Sequence, residues 1–507
     1  MYDNNRQYSV SELIAWKTPV FIKSYGRGSM ATASFRGTDP SHTQLTWNGV
    51  PLNSPLLGMA DFSQIPLSIA DGIDLYHGSA SLLSGYPAIG GRIDLSGNPV
   101  WNKGFGLDLM SAAGSFHTFD EAAAATYSSK KLSIKSSLWY SASRNDFEFY
   151  NRDILNGGIQ QRENAAWQRY GFMADTYLRL KGNNTLSLKL WTQQGSRSIP
   201  QLSTNESGSL NNLNRQTDNA LHAIVSYDRF TNRSSLSLQS ALSQQNTVYT
   251  LRNYISGSGY LNAVNSIGNG FSLYNFADYK IEFGKKWFLS TFIQFDFHHV
   301  TSDESVSLRY YDVKRTESSA SVALLYKPFS SLSLGVSLRQ QLSGSNWLKP
   351  MPAIQVEYRL LPTLVCKANV SRVLRSPSLN DLYFQPGGNP DLLPEESLMA
   401  EAGVQWSYKH KKFDVIADVT GFRSNIINWI MWRPTLRGYW TPENIASVQT
   451  CGIEAGLKAG IRSGKYTIQI NTGYTLSQSV NKTHSGNTED LSYGAQLPYI
   501  PVHSAMM

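Results

Sequence analysis

The sequence has few cysteines, few charged residues and no long apolar run. Only Cys366 and Cys451 are present in a chain of 507 residues, too few for a disulfide framework and without the CxxC spacing of a zinc site. No apolar stretch approaches the roughly 18 residues that a membrane-spanning helix needs. These absences exclude a disulfide-stapled secreted domain and a helical membrane protein.

The composition favours a membrane protein built from strands. Charged residues make up 16% of the chain, against about 25% in an average soluble domain, whereas aromatic residues make up 12%. Aromatic enrichment without membrane helices favours a β-barrel, which also satisfies its backbone hydrogen bonds in lipid. The net charge is +8, but the basic residues are scattered, and many lie in predicted turns such as 409–412. We therefore expect them to face solvent and expect no nucleic-acid partner.

Residues suited to catalysis or metal binding occur without the spacing that such sites need. His298 and His299 are adjacent, and adjacent strand residues point to opposite faces of a sheet, so the sequence predicts no metal site. There is no G-x-S-x-G nucleophile elbow, and the glycine-rich segment 78–91 lacks the lysine of a phosphate-binding loop. We therefore expect no enzymatic activity and no cofactor.

The two ends of the sequence suggest a piece of a longer chain. Met1 is followed by polar residues 2–5 rather than by the basic and apolar regions of a signal peptide. Residues 504–507 do not resemble a final membrane strand. If the protein is exported, we expect its leader to be missing from this sequence.

Past residue 103 the sequence repeats a strand pattern. In residues 131–142, for example, Leu132, Ile134, Leu138 and Tyr140 share one face and small polar or basic residues share the other. About seventeen such strands of about ten residues follow one another, joined alternately by short turns and longer loops, as in outer-membrane barrels. The pattern predicts a large antiparallel transmembrane β-barrel with an apolar outer face and a polar lumen.

Three segments resemble motifs of one family. Residues 35–53 (FRGTDPSHTQLTWNGVPLN) and 73–95 (IDLYHGSASLLSGYPAIGGRIDL) resemble the two plug motifs of TonB-dependent outer-membrane receptors. Residues 375–403 (RSPSLNDLYFQPGGNPDLLPEESLMAEAG) resemble the family's barrel segment "RAPSLNELY…GNPDLKPE". The segments occur in the family's order, and the cobalamin and siderophore receptors are the most similar members.

The resemblance implies an all-β membrane protein with an N-terminal α+β plug in the lumen. We expect the plug in residues 1–102 and the barrel in residues 103–507, both incomplete at their outer ends. The family barrel has about 22 strands, so we expect this chain by itself not to close a barrel and to leave open sheet edges. The plug glycines are expected to let an irregular backbone pack inside the barrel; they are Gly37, Gly49, Gly78, Gly85, Gly90 and Gly91.

The resemblance also implies a lock in which plug arginines face barrel glutamates. Arg36 is the retained arginine, Glu395 its first expected partner and Glu454 its second. His77 stands where the family has a second arginine, so the lock is either partly pH-dependent, because histidine titrates near neutrality, or simply hydrogen-bonded there. A buried charge pair of this kind is costly unless both members stay paired.

The expected function is transport. By resemblance, the protein is a monomeric receptor in the outer membrane of a Gram-negative bacterium, in contact with its lipid. It would bind cobalamin or a ferric siderophore at extracellular loops and import it with energy from the inner-membrane TonB complex. Haem or an oligosaccharide stays open as the ligand. A passive porin or structural barrel and an outer-membrane enzyme are the alternative classes.

Aromatic and arginine residues in two loops are the candidate ligand contacts, because such side chains grip planar or anionic ligands. The predicted extracellular loop 425–445 is the first. It contributes Trp429, Trp432, Arg433, Arg437, Tyr439 and Trp440. Tyr383 and Phe384 form the second candidate, and the plug apex at 56–59 a third. Anchoring at the membrane interface is the alternative role for Trp429 and Trp432.

Overall fold

The computed structural model describes residues 8–78, 85–153, 157–201, 212–463, 466–483 and 493–507. Among these residues, none of the helices combines the length and the apolar character required to cross a bilayer. The helices are α1 (Val10–Lys17) and α2 (Leu379–Tyr383). The N-terminal strands are β1 (Phe21–Ser24), β2 (Ala31–Ser34), β3 (Thr43–Trp47), β4 (Val50–Pro51), β5 (Gly72–His77) and β6 (Gly91–Ser96).

The remaining strands begin at residue 104. They are β7 (Gly104–Gly114), β8 (Thr118–Ser128), β9 (Leu132–Ser143), β10 (Glu148–Asn151), β11 (Gly158–Gln161), β12 (Trp167–Arg179), β13 (Asn184–Ile199), β14 (Asn212–Phe230), β15 (Ser234–Ile255), β16 (Gly259–Phe283), β17 (Trp287–Glu304), β18 (Arg309–Phe329), β19 (Leu332–Ser343), β20 (Asn346–Trp347), β21 (Met351–Leu361), β22 (Leu364–Arg375), β23 (Glu395–His410), β24 (Phe413–Pro434), β25 (Trp440–Ser463), β26 (Tyr466–Asn481) and β27 (His503–Met506).

One antiparallel sheet forms a closed barrel from β7–β9 and β12–β27. Within the described residues, seventeen of its strands have eleven or more residues, as the alternation predicts. The expectation of open edges is wrong, because the short strand β27 lies between β26 and β7 and completes the ring. Four residue pairs join β26 to β27, so the ring is closed by a short strand rather than by pairing along the full length of β26.

The two faces of the barrel differ as predicted. Leu109 and Ile293 are examples of the outer face, where apolar side chains are exposed, whereas Ser137 and Lys189 are buried on the inner face. This is the reverse of a soluble barrel and matches a wall between lipid and a polar lumen. The turns at 129–131, 284–286 and 411–412 are short, and the long strands extend past the other rim.

Strand extension corrects one prediction. Residues 425–445 are not a loop: β24 continues to Pro434 and β25 starts at Trp440, so that only 435–439 form the turn. A spanning strand needs only about ten residues, whereas β24 has 22 and β25 has 24. The surplus residues of β24 and β25 pair with each other as a long two-stranded hairpin.

The N-terminal segment is a separate small sheet with helices. Its strands lie in the order β4-β3-β6-β5, with β3 and β6 parallel, and α1 begins at a capping box of Ser9 and Glu12. Leu45, Trp47 and Ile93 are fully buried in its core. The same hydrophobic cluster includes side chains of the inner barrel wall, such as Trp191, so the plug is packed against the lumen. β7, the first barrel strand, begins at Gly104; the domain boundary after residue 102 stays a prediction.

Candidate functional site

Arg36 joins the plug to two barrel strands. It lies between β2 and β3 with a positive φ of 50°, and its side chain points towards the barrel wall. Its Nε and Nη2 donate to Glu454 Oε2 on β25 at 2.9 and 2.8 Å, and its Nη1 donates to Glu401 on β23. Burial alone would lower the pKa of Arg36, but the carboxylates of Glu454 and Glu401 outweigh burial and raise it. The guanidinium therefore stays charged and paired with two glutamates.

Glu395 binds other groups than the resemblance suggests. Its side chain is fully buried, pairs with Arg375 of β22 and accepts the Ile430 N–H at 2.7 Å. Its plug partner is His42 rather than Arg36, with His42 Nε2 2.8 Å from Glu395 Oε2. The expected pairing of Arg36 with Glu395 is therefore wrong, because Glu395 lies at the first residue of β23, whereas Glu401, which Arg36 contacts, lies six residues further along the strand.

The tautomer of His42 follows from its neighbours. Its Nδ1 accepts a hydrogen bond from the Asp39 N–H at 3.3 Å, in the capping box of a 3-10 helix at 40–42. The proton of a neutral ring therefore lies on Nε2, which donates to Glu395. The ring of Trp429 packs edge-on against His42 with 4.6 Å between centroids.

His77 lies beside the ion pair of Arg36 and Glu454 but does not bind Glu454 as a second arginine would. Its Nδ1 is 3.8 Å from Glu454 Oε2, beyond hydrogen-bonding distance, and its ring packs edge-on against Phe35. Burial lowers the pKa of His77, and the charge of Arg36 adds to this, whereas the carboxylates of Glu454, Glu401 and Asp418 oppose it. The ring is therefore neutral at pH 7.

The lowered pKa of His77 predicts a loss of stability in mild acid. Below the ordinary pKa of about 6.5 the unfolded chain takes up a proton that the folded plug does not, so the free energy of unfolding falls as pH falls. We expect the thermal unfolding midpoint of His77→Gln to fall less steeply between about pH 6.5 and pH 5 than that of the unsubstituted receptor. His117→Gln, at an exposed turn, is the control; an unchanged slope in His77→Gln would refute the assignment.

The long hairpin of β24 and β25 contacts α2. Trp432 Nε1 donates to Asp381 Oδ1 at 2.9 Å, and its ring packs edge-on against Phe384 at 5.8 Å. Thr441 Oγ1 donates to the Gly387 carbonyl at 2.6 Å. The two predicted ligand segments, 425–445 and 383–384, are thus held together.

The plug apex joins the same cluster. The Asn380 N–H of α2 donates to the Leu56 carbonyl at 2.9 Å, and a Cβ on Gly58 would lie 3.1 Å from the Cβ of Ser378. All three predicted ligand segments therefore meet at one place. We call Asp381, Phe384, Trp432 and Trp440 the outer cluster.

Solvent exposure separates the predicted ligand residues. Arg433, Arg437 and Trp440 are exposed, Tyr383 and Phe384 are 37% exposed, and Tyr439 is half-buried. Trp429 is only 3% exposed and packs on His42 of the plug, so it lies inside the barrel and not at a lipid interface. The exposed members can reach a ligand from outside, whereas Trp429 connects the hairpin to the plug.

Comparison with known proteins agrees with this architecture. The family model of the TonB-dependent receptor plug domain matches residues 2–92, and that of the TonB-dependent receptor-like β-barrel matches residues 85–507. The chain belongs to the TonB-dependent receptor family. Members of this family are outer-membrane β-barrels that act as receptors and transporters rather than enzymes.

Individual relatives of this TonB-dependent receptor are distant. The vitamin B12 transporter BtuB of Photobacterium profundum is 23% identical over 479 residues, which cover 92% of this chain and 72% of the relative. BtuB of Vibrio vulnificus is 24% identical over 451 residues, which cover 85% of this chain and 66% of the relative. The siderophore receptor PirA of Acinetobacter baumannii superposes with a TM-score of 0.75 at 15% identity, covering 98% of this chain and 80% of PirA.

The predicted plug glycines lie in tight or turned backbone. Positive φ values occur at Gly37, Gly49, Gly78 and Gly85. A Cβ on Gly90 would lie 2.4 Å from Thr38 Oγ1 and 3.1 Å from the His42 carbonyl, so a side chain there would push the plug backbone apart. A Cβ on Gly91 would lie 2.7 Å from the Tyr76 carbonyl. Residues 79–84 of the same segment, including Leu82 and Leu83, lie outside the described residues.

Sequence reasoning missed Glu401, His42 and Arg375. Period-two alternation from Glu395 places 397, 399 and 401 on the same inward face. The strand pattern could therefore have identified Glu401 as a residue that faces the plug. The roles of His42 and Arg375 had no signal in the sequence, because they depend on where the plug meets the wall.

Proposed function

We propose that this receptor binds cobalamin or a ferric siderophore at the outer cluster and imports it into the periplasm with energy from the TonB complex. The observation that carries the proposal is the junction of α2, the extracellular hairpin and the plug apex through Trp432–Asp381 and Asn380–Leu56. A ligand on this cluster touches the part of the plug that has to move. Similarity to B12 transporters and to a siderophore receptor supports these two ligand classes.

The plug distinguishes this proposal from a passive pore. Its core is continuous with side chains of the inner barrel wall, and it is bound to the wall by Arg36, His42 and further pairs such as Arg197 with Asp61 at 2.6 Å. A lumen filled in this way needs a driven movement of the plug before a bulky solute can pass. Location in the outer membrane and a monomeric state complete the proposal.

Ligand binding to the outer cluster is the test. We expect Trp432→Ala to weaken equilibrium binding of radiolabelled cyanocobalamin or of a ferric siderophore to the purified receptor by about tenfold or more. The residue presents a ring face and orders Asp381 of α2, and losing about 1.4 kcal/mol of such contacts gives a factor of ten. Trp406→Ala is the matched control, because Trp406 lies on the outer face of the barrel and stacks on Tyr408.

Two outcomes contradict this proposal. Equal affinity in Trp432→Ala and Trp406→Ala would remove the outer cluster from ligand binding. Absence of binding to both ligand classes in the unsubstituted receptor would redirect the search to haem or an oligosaccharide.

A further inference from the structure

A plug tyrosine is inserted into the barrel wall far from the Arg36 contact. Tyr86 is 8% exposed, and its ring lies edge-on to three aromatic rings of β16 and β17. The centroid distances are 6.0 Å to Tyr274, 6.5 Å to Phe276 and 6.5 Å to Phe292. Such edge-on geometry within 7 Å is the favoured arrangement of aromatic pairs.

The base of this recess is polar. Tyr86 Oη donates to Asp296 Oδ1 at 3.0 Å, and Asp296 is 1% exposed. Arg339 of β19 is equally buried; its Nη1 donates to the Gly85 carbonyl at 2.7 Å and its Nη2 to Gln294 Oε1 at 2.6 Å. A carboxylate acceptor and a guanidinium donor therefore face the phenol and its backbone.

The aromatic and charged side chains named above that contact Tyr86 and Gly85 belong to the barrel. We call Tyr274, Phe276, Phe292, Asp296 and Arg339 the wall socket. Continuous backbone pairing from β16 to β19 positions these five residues in the sheet. A buried acceptor that loses its donor is costly, so such a site prefers rings that carry a hydroxyl group over rings without one.

We propose that the wall socket is a binding site for phenolic rings, and that Tyr86 occupies it as an internal ligand. When the plug moves, Tyr86 leaves the socket, and a phenolic ring of the transported molecule takes its place on the lumen wall. The use of the socket during uptake rests on the proposed function, whereas its affinity for a ring does not.

The test uses the purified receptor with Tyr86→Ala, which empties the socket, and 4-methylphenol as the probe. We expect calorimetry to give a Kd of about 0.1 mM, in the range that a small ring attains in a preformed pocket. Toluene, of nearly the same shape but without the hydroxyl group, should bind about tenfold more weakly. The unsubstituted receptor, with Tyr86 in place, should bind neither at the same concentration.

A second substitution identifies the recognising group. Tyr86→Ala combined with Asp296→Leu should lose the preference for 4-methylphenol over toluene, because no carboxylate remains to accept a hydrogen bond from the hydroxyl group. If Tyr86→Ala does not fold, Tyr86→Val, whose side chain is too short to fill the volume of the ring, serves in its place. Equal binding of the two probes, or binding of neither, overturns the proposal. Normal ring binding in a protein that takes up no ligand in cells would instead refute the proposed function alone.

Discussion

Replacing Arg36 with alanine should detach the plug from one side of the barrel and produce the largest defect of any single plug substitution considered. Glu454 and Glu401 would both lose the guanidinium that neutralises them. Removing one partner of a buried ion pair costs about 3–5 kcal/mol, because the remaining charge is left uncompensated. The contact is nearly dry, since the side chains of Arg36 and Glu454 are 11% and 12% exposed, so solvent cannot compensate the loss.

The measurement is the permeability of the outer membrane to vancomycin in cells that produce the variant, together with ion conductance of the purified protein in planar bilayers. We expect cells that produce Arg36→Ala to be more sensitive to vancomycin, and we expect the purified variant to form larger and longer-lived conductance openings in bilayers. Arg36→Lys should be intermediate, because an ammonium group does not reproduce the two-sided fork of a guanidinium. Arg359→Ala, at an exposed position of β21, is the matched control. A closed Arg36→Ala barrel would show that the other plug contacts suffice and that Arg36 is not a lock.

Glu395→Gln is expected to have the second largest effect. Among the described carboxylates, only Glu395 accepts hydrogen bonds from the plug, from β22 and from the hairpin of β24 and β25 at once, through His42, Arg375 and Ile430. Glutamine keeps the shape but removes the charge that compensates Arg375, so the loss of stability is expected to be about 2–5 kcal/mol. Because Ile430 follows Trp429 on the hairpin, ligand affinity is expected to fall as well.

Glu357 of β21 supplies the control for this prediction. It pairs with Lys367 at 3.8 Å, and the side chains of Glu357 and Lys367 are 49% and 54% exposed. Glu357→Gln should therefore change the thermal unfolding midpoint little, as is usual for ion pairs that face solvent. Equal shifts in Glu395→Gln and Glu357→Gln would mean that the burial of Glu395 and its three contacts add nothing to stability.

The barrel was predictable because its signal is local. Alternation over ten or more residues identifies a strand and its lipid face, as in 131–142, and turn lengths give the order of the hairpins. The plug was predictable by resemblance, through segments 35–53 and 73–95. The lengths of the strands were harder to predict. Residues 425–445 contain aromatic and polar side chains, and such a composition is compatible with a loop and with a paired hairpin outside the membrane.

The polar contacts between plug and barrel were not predictable to the same degree. Whether Arg36 meets Glu395 or Glu401 depends on the depth at which the plug lies in the lumen, and a shift of six strand residues is about 20 Å. No pattern in either segment encodes that depth. The socket of Tyr86 is similar, since its parts come from β16, β17 and β19 and are brought together only by the closed sheet.

Energised uptake is the measurement that tests the central claim most directly. Cells that lack their own cobalamin and siderophore receptors would express this receptor, with and without a functional TonB protein, and take up labelled cobalamin or ferric siderophores. We predict accumulation of one ligand that disappears when TonB is absent. Accumulation that persists without TonB would contradict the account, because the plug would then not be the energy-dependent barrier that its contacts with the wall indicate.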